Sequence, residues 1–197
     1  IRKLECDSGV VITASHNPKE YNGYKAYWND GAQVVAPHDK NIIAEVQKIT
    51  SPDQVLTNGH KDNIVILDET FDAIYLDAVH SLSLSPEAIA AHHDLKIVYT
   101  PIHGTGVILV PESLRKFGFT NVVTVKEQNI PDGNFPTVAS PNPEERATMK
   151  MAIDLAARQQ AEIVLATDPD ADRIGMALRD RDGSYILLNG NQTCALL

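Results

Sequence analysis

"EIVLATDPDADRIGM", residues 162–176, reads as an apolar strand, three closely spaced aspartates and the start of another strand. Asp168, Asp170 and Asp172 stand at alternate positions, where their carboxylates repel one another unless a cation joins them. Mg²⁺ prefers oxygen ligands in proteins and commonly serves phosphate chemistry. The sequence therefore predicts a Mg²⁺ site directly after this strand.

The chain before this stretch alternates strands and helices. We predict a strand of four to five residues at the start of "LKIVYTPIHGTG" (95–106) and further strands at 122–125 and 162–167. Helices are predicted at 107–117, ended by Gly118, and at 144–160, with a long Pro-rich loop at 129–143. This order favours an α/β fold with mixed, mainly parallel sheets and covering helices, in which ligands gather at the carboxyl ends of the strands. The loop "PIHGTG", residues 101–106, is therefore expected to meet the acidic loop.

The first quarter of the chain has a different pattern. It predicts a buried strand at Val10–Thr13, a second strand at Tyr24–Trp28, and a helix after Pro37 that Asp39 caps. Residues 50–62 are polar and rich in turn formers, so a domain boundary is expected near there. Two further helices are predicted, around residues 71–79 and 87–92.

A serine follows the first strand in "GVVITASHNPKEYNGYK", residues 9–25. Ser15 and His16 are adjacent, and adjacent residues of an extended chain face opposite ways, so we do not interpret them as a hydrolytic pair. A serine exposed on a loop, with a metal site elsewhere in the chain, can instead carry a phosphoryl group. Covalent transfer through Ser15 is therefore the favoured interpretation.

Other interpretations of the acidic loop remain open. Single loop aspartates are mostly caps or turn residues. An EF-hand loop also begins Asp-x-Asp-x-Asp, but it needs a glycine and a distant glutamate between two helices, whereas Arg173 to Met176 begins a strand. A phosphatase of the haloacid dehalogenase type places its nucleophilic aspartate after a buried strand, but it gives Ser15 no task.

Composition restricts the partners of the chain. Its 197 residues carry a formal net charge of −9, which argues against a nucleic-acid partner and favours a small molecule. The two cysteines indicate a reduced, cytoplasmic environment rather than a disulfide framework. No apolar stretch approaches the ~20 residues of a membrane span, so no membrane partner is expected.

Two segments resemble the α-D-phosphohexomutases, the family of phosphoglucomutase and phosphomannomutase. "TASHNPKEYNGYK" (13–25) resembles the family's phosphoserine loop, and "TDPDADR" (167–173) resembles its metal-binding loop. "TPIHGTG" (100–106), "FPTVASPNPEE" (135–145) and "LNGNQ" (188–192) further resemble a branch with bacterial phosphoglucomutases and vertebrate phosphopentomutase-like enzymes. The resemblance covers nearly the whole chain.

The resemblance implies that the chain is part of a four-domain enzyme. Residues 1–55 correspond to the end of domain 1, residues 56–185 to domain 2 and residues 186–197 to the start of domain 3. The sugar-recognising loop of domain 3 and the phosphate-binding loop of domain 4 are not in this sequence, so the preferred sugar and the oligomeric state stay open. We expect the 197 residues alone to show no mutase turnover.

The resemblance also implies an activity and a set of site residues. The activity is the interconversion of sugar 1-phosphates and 6-phosphates through a phosphoserine, with glucose 1,6-bisphosphate as intermediate and activator. Phosphopentomutase-type specificity and a non-catalytic module that binds metal or sugar phosphate are kept as alternatives. The implied roles are catalysis by Ser15, Lys25 and His16, Mg²⁺ binding by Ser15, Asp168, Asp170 and Asp172, and substrate binding by Arg173, His103 and Asn17.

Overall fold

The computed structural model describes residues 1–196, which divide into two compact units. The first unit comprises residues 1–13 and 22–68, and the second comprises residues 14–21 and the chain from residue 69 onward. Every helix among the described residues is too short or too polar to cross a membrane.

The regular elements follow the predicted order as far as the strand after the acidic loop, and a strand and a helix beyond it were not predicted. The helices are α1 (His38–Val46), α2 (Glu69–His80), α3 (Pro86–Ala91), α4 (Leu109–Phe117), α5 (Arg146–Gln159) and α6 (Gly190–Leu196). The strands are β1 (Ser8–Ile12), β2 (Tyr24–Trp28), β3 (Ile97–Thr100), β4 (Val122–Thr124), β5 (Ile163–Thr167), β6 (Ile174–Arg179) and β7 (Tyr185–Leu188). Short 3₁₀ helices lie at Arg2–Leu4, Pro52–Gln54, Lys61–Asn63, Thr105–Val107 and Lys126–Gln128.

A two-stranded antiparallel sheet organises the first unit. β1 pairs with β2 so that Ser8 lies opposite Trp28 and Ile12 opposite Tyr24. After β2 the chain turns at Asp30 and Gly31, where the Asp30 carboxylate accepts the backbone N–H of Ala32 at 2.8 Å and Gly31 has a φ of 86°. The sequence predicted both strands from their β-favouring residues.

Two predictions for this unit are wrong. The strand expected to be buried is exposed, since Val10, Val11 and Ile12 retain 50%, 42% and 61% of their accessible surface. Within residues 1–196 no second layer covers these side chains, and apolar composition alone cannot show whether one does. Asp39 does not cap α1, because the helix begins one residue earlier and Pro37 is its N-cap. The Asp39 carboxylate instead lies in the first turn, where the helix dipole favours a negative charge.

A five-stranded sheet in the order β4-β3-β5-β6-β7 organises the described part of the second unit. β3 runs parallel to both β4 and β5, whereas β6 and β7 add antiparallel pairings. The predicted α/β class and mixed sheet are confirmed, and β6 begins at Ile174 as expected after the acidic loop. Because β3 and β5 are parallel neighbours, the loops that follow them leave the same edge of the sheet.

The core of the second unit lies between this sheet and α5. Met149, Ala152 and Ala156 occupy one face of α5 at helical spacing and are fully buried, as are Val98 on β3 and Val164 on β5. Small alanines allow the helix backbone to approach the sheet closely. Helix α4 ends at Gly118 as predicted, with a φ of 113° and backbone bonds to Arg115 and Leu114 that satisfy the last turn.

A glycine permits close contact between the two loops. A Cβ on Gly104 would lie 2.5 Å from the Cα of Pro169 and 2.9 Å from the carbonyl oxygen of Pro101. Both neighbours are backbone atoms, which cannot move aside as the end of a flexible side chain can. Next to this contact, Thr105 donates its backbone N–H to the Pro169 carbonyl at 2.9 Å and its hydroxyl to the same oxygen at 3.0 Å.

Gly104→Ala should therefore lower the free energy of unfolding by about 1–3 kcal/mol through overpacking. Gly133→Ala is the matched control, because a Cβ at Gly133 meets nothing within 4 Å. Urea denaturation of both variants measures the difference. Equal stability of the two variants would contradict the close approach of Gly104 to Pro169.

Candidate active site

The loops after β3 and β5 meet, as predicted from strand order. The bonds from Thr105 to Pro169 connect them directly, and the buried hydroxyls of Tyr99 and Thr167 lie 2.8 Å apart beneath them. Burial raises the pKa of Tyr99 to about 12, so this hydroxyl stays protonated at any physiological pH. The acidic loop is thus supported by a fixed, uncharged polar contact.

The three predicted aspartates lie together in this loop. One carboxylate oxygen from each of Asp168, Asp170 and Asp172 lies within 4.8 Å of the others. Asp168 is fully buried, and its Oδ1 accepts the backbone N–H groups of Asp172 at 3.1 Å and Arg173 at 3.0 Å. The loop therefore folds back around the Asp168 side chain.

Burial is the largest cause of a raised pKa at Asp168, and the neighbouring carboxyl of Asp170 raises it further. Hydrogen bonds from Ser15 and from the backbone of Arg173 oppose this effect, because they favour the ionised form. A hard cation is the natural complement of such a cluster, since it offsets the desolvation and the mutual repulsion of the carboxylates. The donor set, three carboxylates at one loop, fits Mg²⁺.

Ser15 belongs to the same unit and reaches the acidic loop. Its hydroxyl donates to Oδ2 of Asp168 at 2.9 Å, across 153 positions of sequence. The residue has a φ of 53°, and the backbone N–H of Asn17 closes a turn onto the carbonyl of Ala14 at 3.0 Å. The turn brings the serine hydroxyl to the aspartate cluster, which agrees with the pairing that the sequence suggested.

The predicted separation of Ser15 and His16 is wrong. The argument assumed an extended chain, but the positive φ of Ser15 folds the backbone and places His16 Nδ1 3.2 Å from Ser15 Oγ. Ser15 has a single hydroxyl proton, so when it donates to Asp168 the contact with His16 requires an Nδ1–H that donates to the serine oxygen. A hydrolytic triad is still not formed, because Asp168 binds the serine and not the imidazole.

His103 is held inside the protein. It is 4% exposed, and its ring nitrogens lie 2.9 Å from the carbonyl oxygen of Ile130 and 2.9 Å from Thr137 Oγ1. The predicted contact with substrate would therefore require one of these hydrogen bonds to break. The sequence shows only a histidine in a loop, and this does not distinguish a histidine that binds substrate from one that makes structural hydrogen bonds.

The other predicted residues occupy varied positions. The side chain of Arg173 is exposed at the end of the acidic loop, and Asn17 is exposed in the serine turn. Lys25 lies half-buried on β2 in the first unit, opposite Val11 across the hairpin. The second unit thus brings together Ser15, His16 and the three aspartates.

Sequence reasoning missed a second link between the serine segment and the rest of its unit. Lys19 Nζ donates to Oδ1 of Asn134, a residue of the Pro-rich loop, at 3.1 Å. Both side chains are polar and exposed, so no hydrophobic pattern or charge spacing marks them in the sequence.

Comparisons with known families and proteins agree with the site. The model of phosphoglucomutase/phosphomannomutase, alpha/beta/alpha domain II, matches residues 73–183, and that of domain I matches residues 1–53. The chain is 40% identical over 195 residues to a Haemophilus influenzae protein named "Probable phosphomannomutase" and 36% identical over 197 residues to the "Phosphoglucomutase" of Staphylococcus aureus. These alignments cover 97% and 100% of the chain, but it spans 39% and 36% of those relatives.

Solved structures share the fold at lower identity. A phosphoglucomutase/phosphomannomutase family protein from Burkholderia thailandensis matches 91% of this chain and 35% of its own, with a TM-score of 0.64 and 24% identity. An N-acetylglucosamine-phosphate mutase in a substrate complex matches 96% of this chain and 47% of its own, with a TM-score of 0.53 and 17% identity. At these identities the likeness concerns the fold.

Asp168→Asn should stabilise the metal-free protein at pH 7. A carboxyl whose pKa is raised on folding binds more protons in the folded state, so stability falls as the pH rises from the ordinary value of 3.8 through the folded pKa. Asparagine removes this cost, and its Oδ1 can still accept the two backbone N–H groups. Urea unfolding in EDTA at pH 7 should show a higher free energy of unfolding for Asp168→Asn than for the unchanged protein, and the difference should become smaller as the pH falls toward 3.8. Asp94→Asn, at an exposed aspartate, is the control and should show no such difference. A less stable variant at pH 7 would contradict the assigned burial cost.

Asp170→Asn should weaken Mg²⁺ binding, because it replaces a charged ligand by a neutral one of the same shape. We expect the Mg²⁺ affinity to fall by at least about tenfold, because even the loss of a residue that only hydrogen-bonds to a metal ligand has an effect of that size. Isothermal titration with Mg²⁺ measures this, with Asp94→Asn as the matched control. Unchanged affinity in Asp170→Asn would show that this loop is not the metal site.

Proposed function

This chain belongs to the phosphoglucomutase/phosphomannomutase family, and we propose that the whole protein interconverts a sugar 1-phosphate and the corresponding 6-phosphate. One observation carries the proposal. Ser15 Oγ, the atom that would bear the phosphoryl group, lies 2.9 Å from a carboxylate of the three-aspartate cluster. A nucleophile beside a site suited to Mg²⁺ is the arrangement that phosphoryl transfer needs.

The proposed reaction begins with phosphorylated Ser15. The 6-hydroxyl of a hexose 1-phosphate attacks the phosphorus, and its proton passes to a base. The bond from phosphorus to Ser15 Oγ breaks, and Ser15 Oγ takes up a proton. The sugar 1,6-bisphosphate then turns over, and Ser15 Oγ attacks its 1-phosphoryl group and gives up its hydroxyl proton to a base. The bond from phosphorus to O1 breaks, and the released O1 takes up a proton. Phosphate and protons balance over the cycle, and no water is consumed.

The acidic loop would hold the cation of this reaction. Asp168, Asp170 and Asp172 are the proposed protein ligands, together with an oxygen on Ser15. Mg²⁺ bound there would supply positive charge that stabilises the transferring phosphoryl group. The backbone N–H groups that Asp168 accepts from Asp172 and Arg173 fix its orientation in advance, so little rearrangement is needed when the cation binds.

The remaining residues have proposed roles on the basis of the family. Lys25 is the candidate general acid and base, and His16, through its contact with Ser15 Oγ, is a further candidate in catalysis. The guanidinium of Arg173 suits bidentate contact with a substrate phosphate. Asn17 shapes the turn that presents Ser15, and a substrate contact of His103 depends on the release of one of its present hydrogen bonds.

The domain arrangement and cellular setting are also proposals. We assign residues 1–55 to the end of domain 1, residues 56–185 to domain 2 and residues 186–197 to the start of domain 3. Glucose 1,6-bisphosphate is the proposed activator, small sugar phosphates are the proposed ligands, and the cytoplasm is the proposed location. The names of the two curated relatives differ between mannose and glucose, so a hexose phosphate is the proposed class of substrate.

The geometry of Asp168 argues against an aspartyl phosphatase. A nucleophilic carboxylate needs an oxygen directed at the substrate phosphorus. Here Oδ1 accepts two backbone N–H groups and Oδ2 accepts the hydroxyl of Ser15. In this arrangement Asp168 supports the serine, which is the group left for nucleophilic attack.

Ser15→Ala should abolish mutase turnover in the full-length protein, with a loss of about 10³-fold or more, because the phosphoryl carrier is removed. Mass spectrometry after incubation with glucose 1,6-bisphosphate should show one phosphate on Ser15 in the unchanged protein and none in the variant. Ser81→Ala, at an exposed serine after α2, is the matched control. Near-normal turnover by Ser15→Ala would refute the proposal.

A further inference from the structure

Polar side-chain hydrogen bonds connect the serine segment, residues 14–21, to the rest of its unit. Ser15 Oγ donates to Asp168, and Lys19 Nζ donates to Oδ1 of Asn134 at 3.1 Å. Within the segment, backbone bonds close one turn from Asn17 to Ala14 and another from Tyr21 to Pro18. The ammonium of Lys19 thus extends from the second turn and holds the segment at a second point.

The acceptor of this bond is itself fixed. The Asp132 carboxylate accepts both the backbone N–H and the side-chain amide N–H of Asn134, at 2.8 Å and 3.1 Å. These bonds direct Oδ1 of Asn134, the remaining acceptor of the amide, toward Lys19. The backbone N–H of Asp132 in turn donates to the carbonyl of His103 at 3.1 Å.

A partly buried chain of hydrogen bonds anchors the loop that carries Asn134. The carbonyl of Ile130 can only accept, so His103 Nδ1 carries the proton in that bond, and in the neutral imidazole Nε2 then accepts from the hydroxyl of Thr137. Thr137 Oγ1 also accepts from the amide of Gln128 at 3.0 Å, and Gln128 accepts from the hydroxyl of Thr100 at 2.6 Å. These bonds tie the loop to Thr100 at the end of β3.

We propose that Lys19 is a positioning residue that holds Ser15 in place by its bond to the anchored Asn134. The proposal rests on the proposed function, since it gives Ser15 the transferring role. Ser15 and the metal loop must keep a fixed geometry for transfer, and a serine on an exposed turn needs a second fixed point. Lys19 supplies it four residues away, without contact with the reacting atoms.

The bond to Asn134 distinguishes this role of Lys19 from that of a lysine that binds the substrate phosphate. A phosphate-binding lysine depends on its charge alone, so the loss of Asn134 would leave it active. A positioning lysine depends equally on both ends of the bond. Lys19→Met and Asn134→Ala should then have the same effect, and the double variant should be no worse than either.

Turnover of the full-length phosphorylated enzyme tests the proposal first. Lys19→Met and Asn134→Ala should each lower kcat by about tenfold with little change in KM, as expected for the loss of one bond to a charged group. Lys19→Arg keeps a donor, so its kcat should stay within about twofold of that of the unchanged enzyme. This change is much smaller than the roughly tenfold loss expected when the bond is removed. Lys150→Met, which removes an exposed lysine bonded to Asp154 within α5, should change nothing. A normal kcat in Asn134→Ala, or a raised KM in Lys19→Met alone, would overturn the proposal.

Amide exchange in the 197-residue chain gives a readout that needs no activity. Loss of the bond should speed the exchange of the Asn17 and Tyr21 amides, measured by NMR, in Lys19→Met and Asn134→Ala but not in Lys150→Met. Unchanged exchange in both variants would overturn the positioning role. If the unchanged enzyme forms no phosphoserine, the proposed function fails, and the exchange data alone then decide whether Lys19 holds the segment.

Discussion

A hydrogen bond of 2.9 Å from Ser15 Oγ to Asp168 Oδ2 joins two segments that lie 153 positions apart in the chain. It depends on the left-handed backbone at Ser15, which turns the hydroxyl out of the strand direction, and on β5, which ends at Thr167, directly before the aspartate. Without the turn, Ser15 would be an ordinary residue after a strand. With it, the serine becomes part of the acidic cluster.

The cluster stands where the sheet makes such crowding possible. The loops after β3 and β5 leave the same edge of the sheet, and Gly104 allows their backbones to touch at Pro169. Next to this contact Asp168 is fully buried, which raises its pKa, while two backbone N–H groups keep the side chain in one orientation. In the absence of a cation the buried Asp168 carboxylate therefore lowers the stability of the protein, but it is already oriented to bind a cation.

Local patterns in the sequence predicted much of this arrangement. The strands that flank the acidic loop and the spacing of Asp168, Asp170 and Asp172 are properties of short segments, so they could be identified without the fold. The contact of His16 with Ser15 could not be identified in this way, because it follows from the φ of 53° at Ser15, which no pattern in the sequence indicates. The exposure of Val10 to Ile12 could not be predicted either, because apolar composition does not show whether another layer covers β1. Nor could the bond from Lys19 to Asn134, because it joins two exposed polar residues 115 positions apart.

The central claim is that Ser15 carries phosphate beside a cation held by the acidic loop. Phosphorus NMR of the phosphorylated full-length protein tests it most directly, with paramagnetic Mn²⁺ added in stoichiometric amount in place of Mg²⁺. The account predicts that the phosphoserine resonance broadens beyond detection and returns when the Mn²⁺ is chelated. A phosphoserine resonance that stays sharp with Mn²⁺ bound would contradict it.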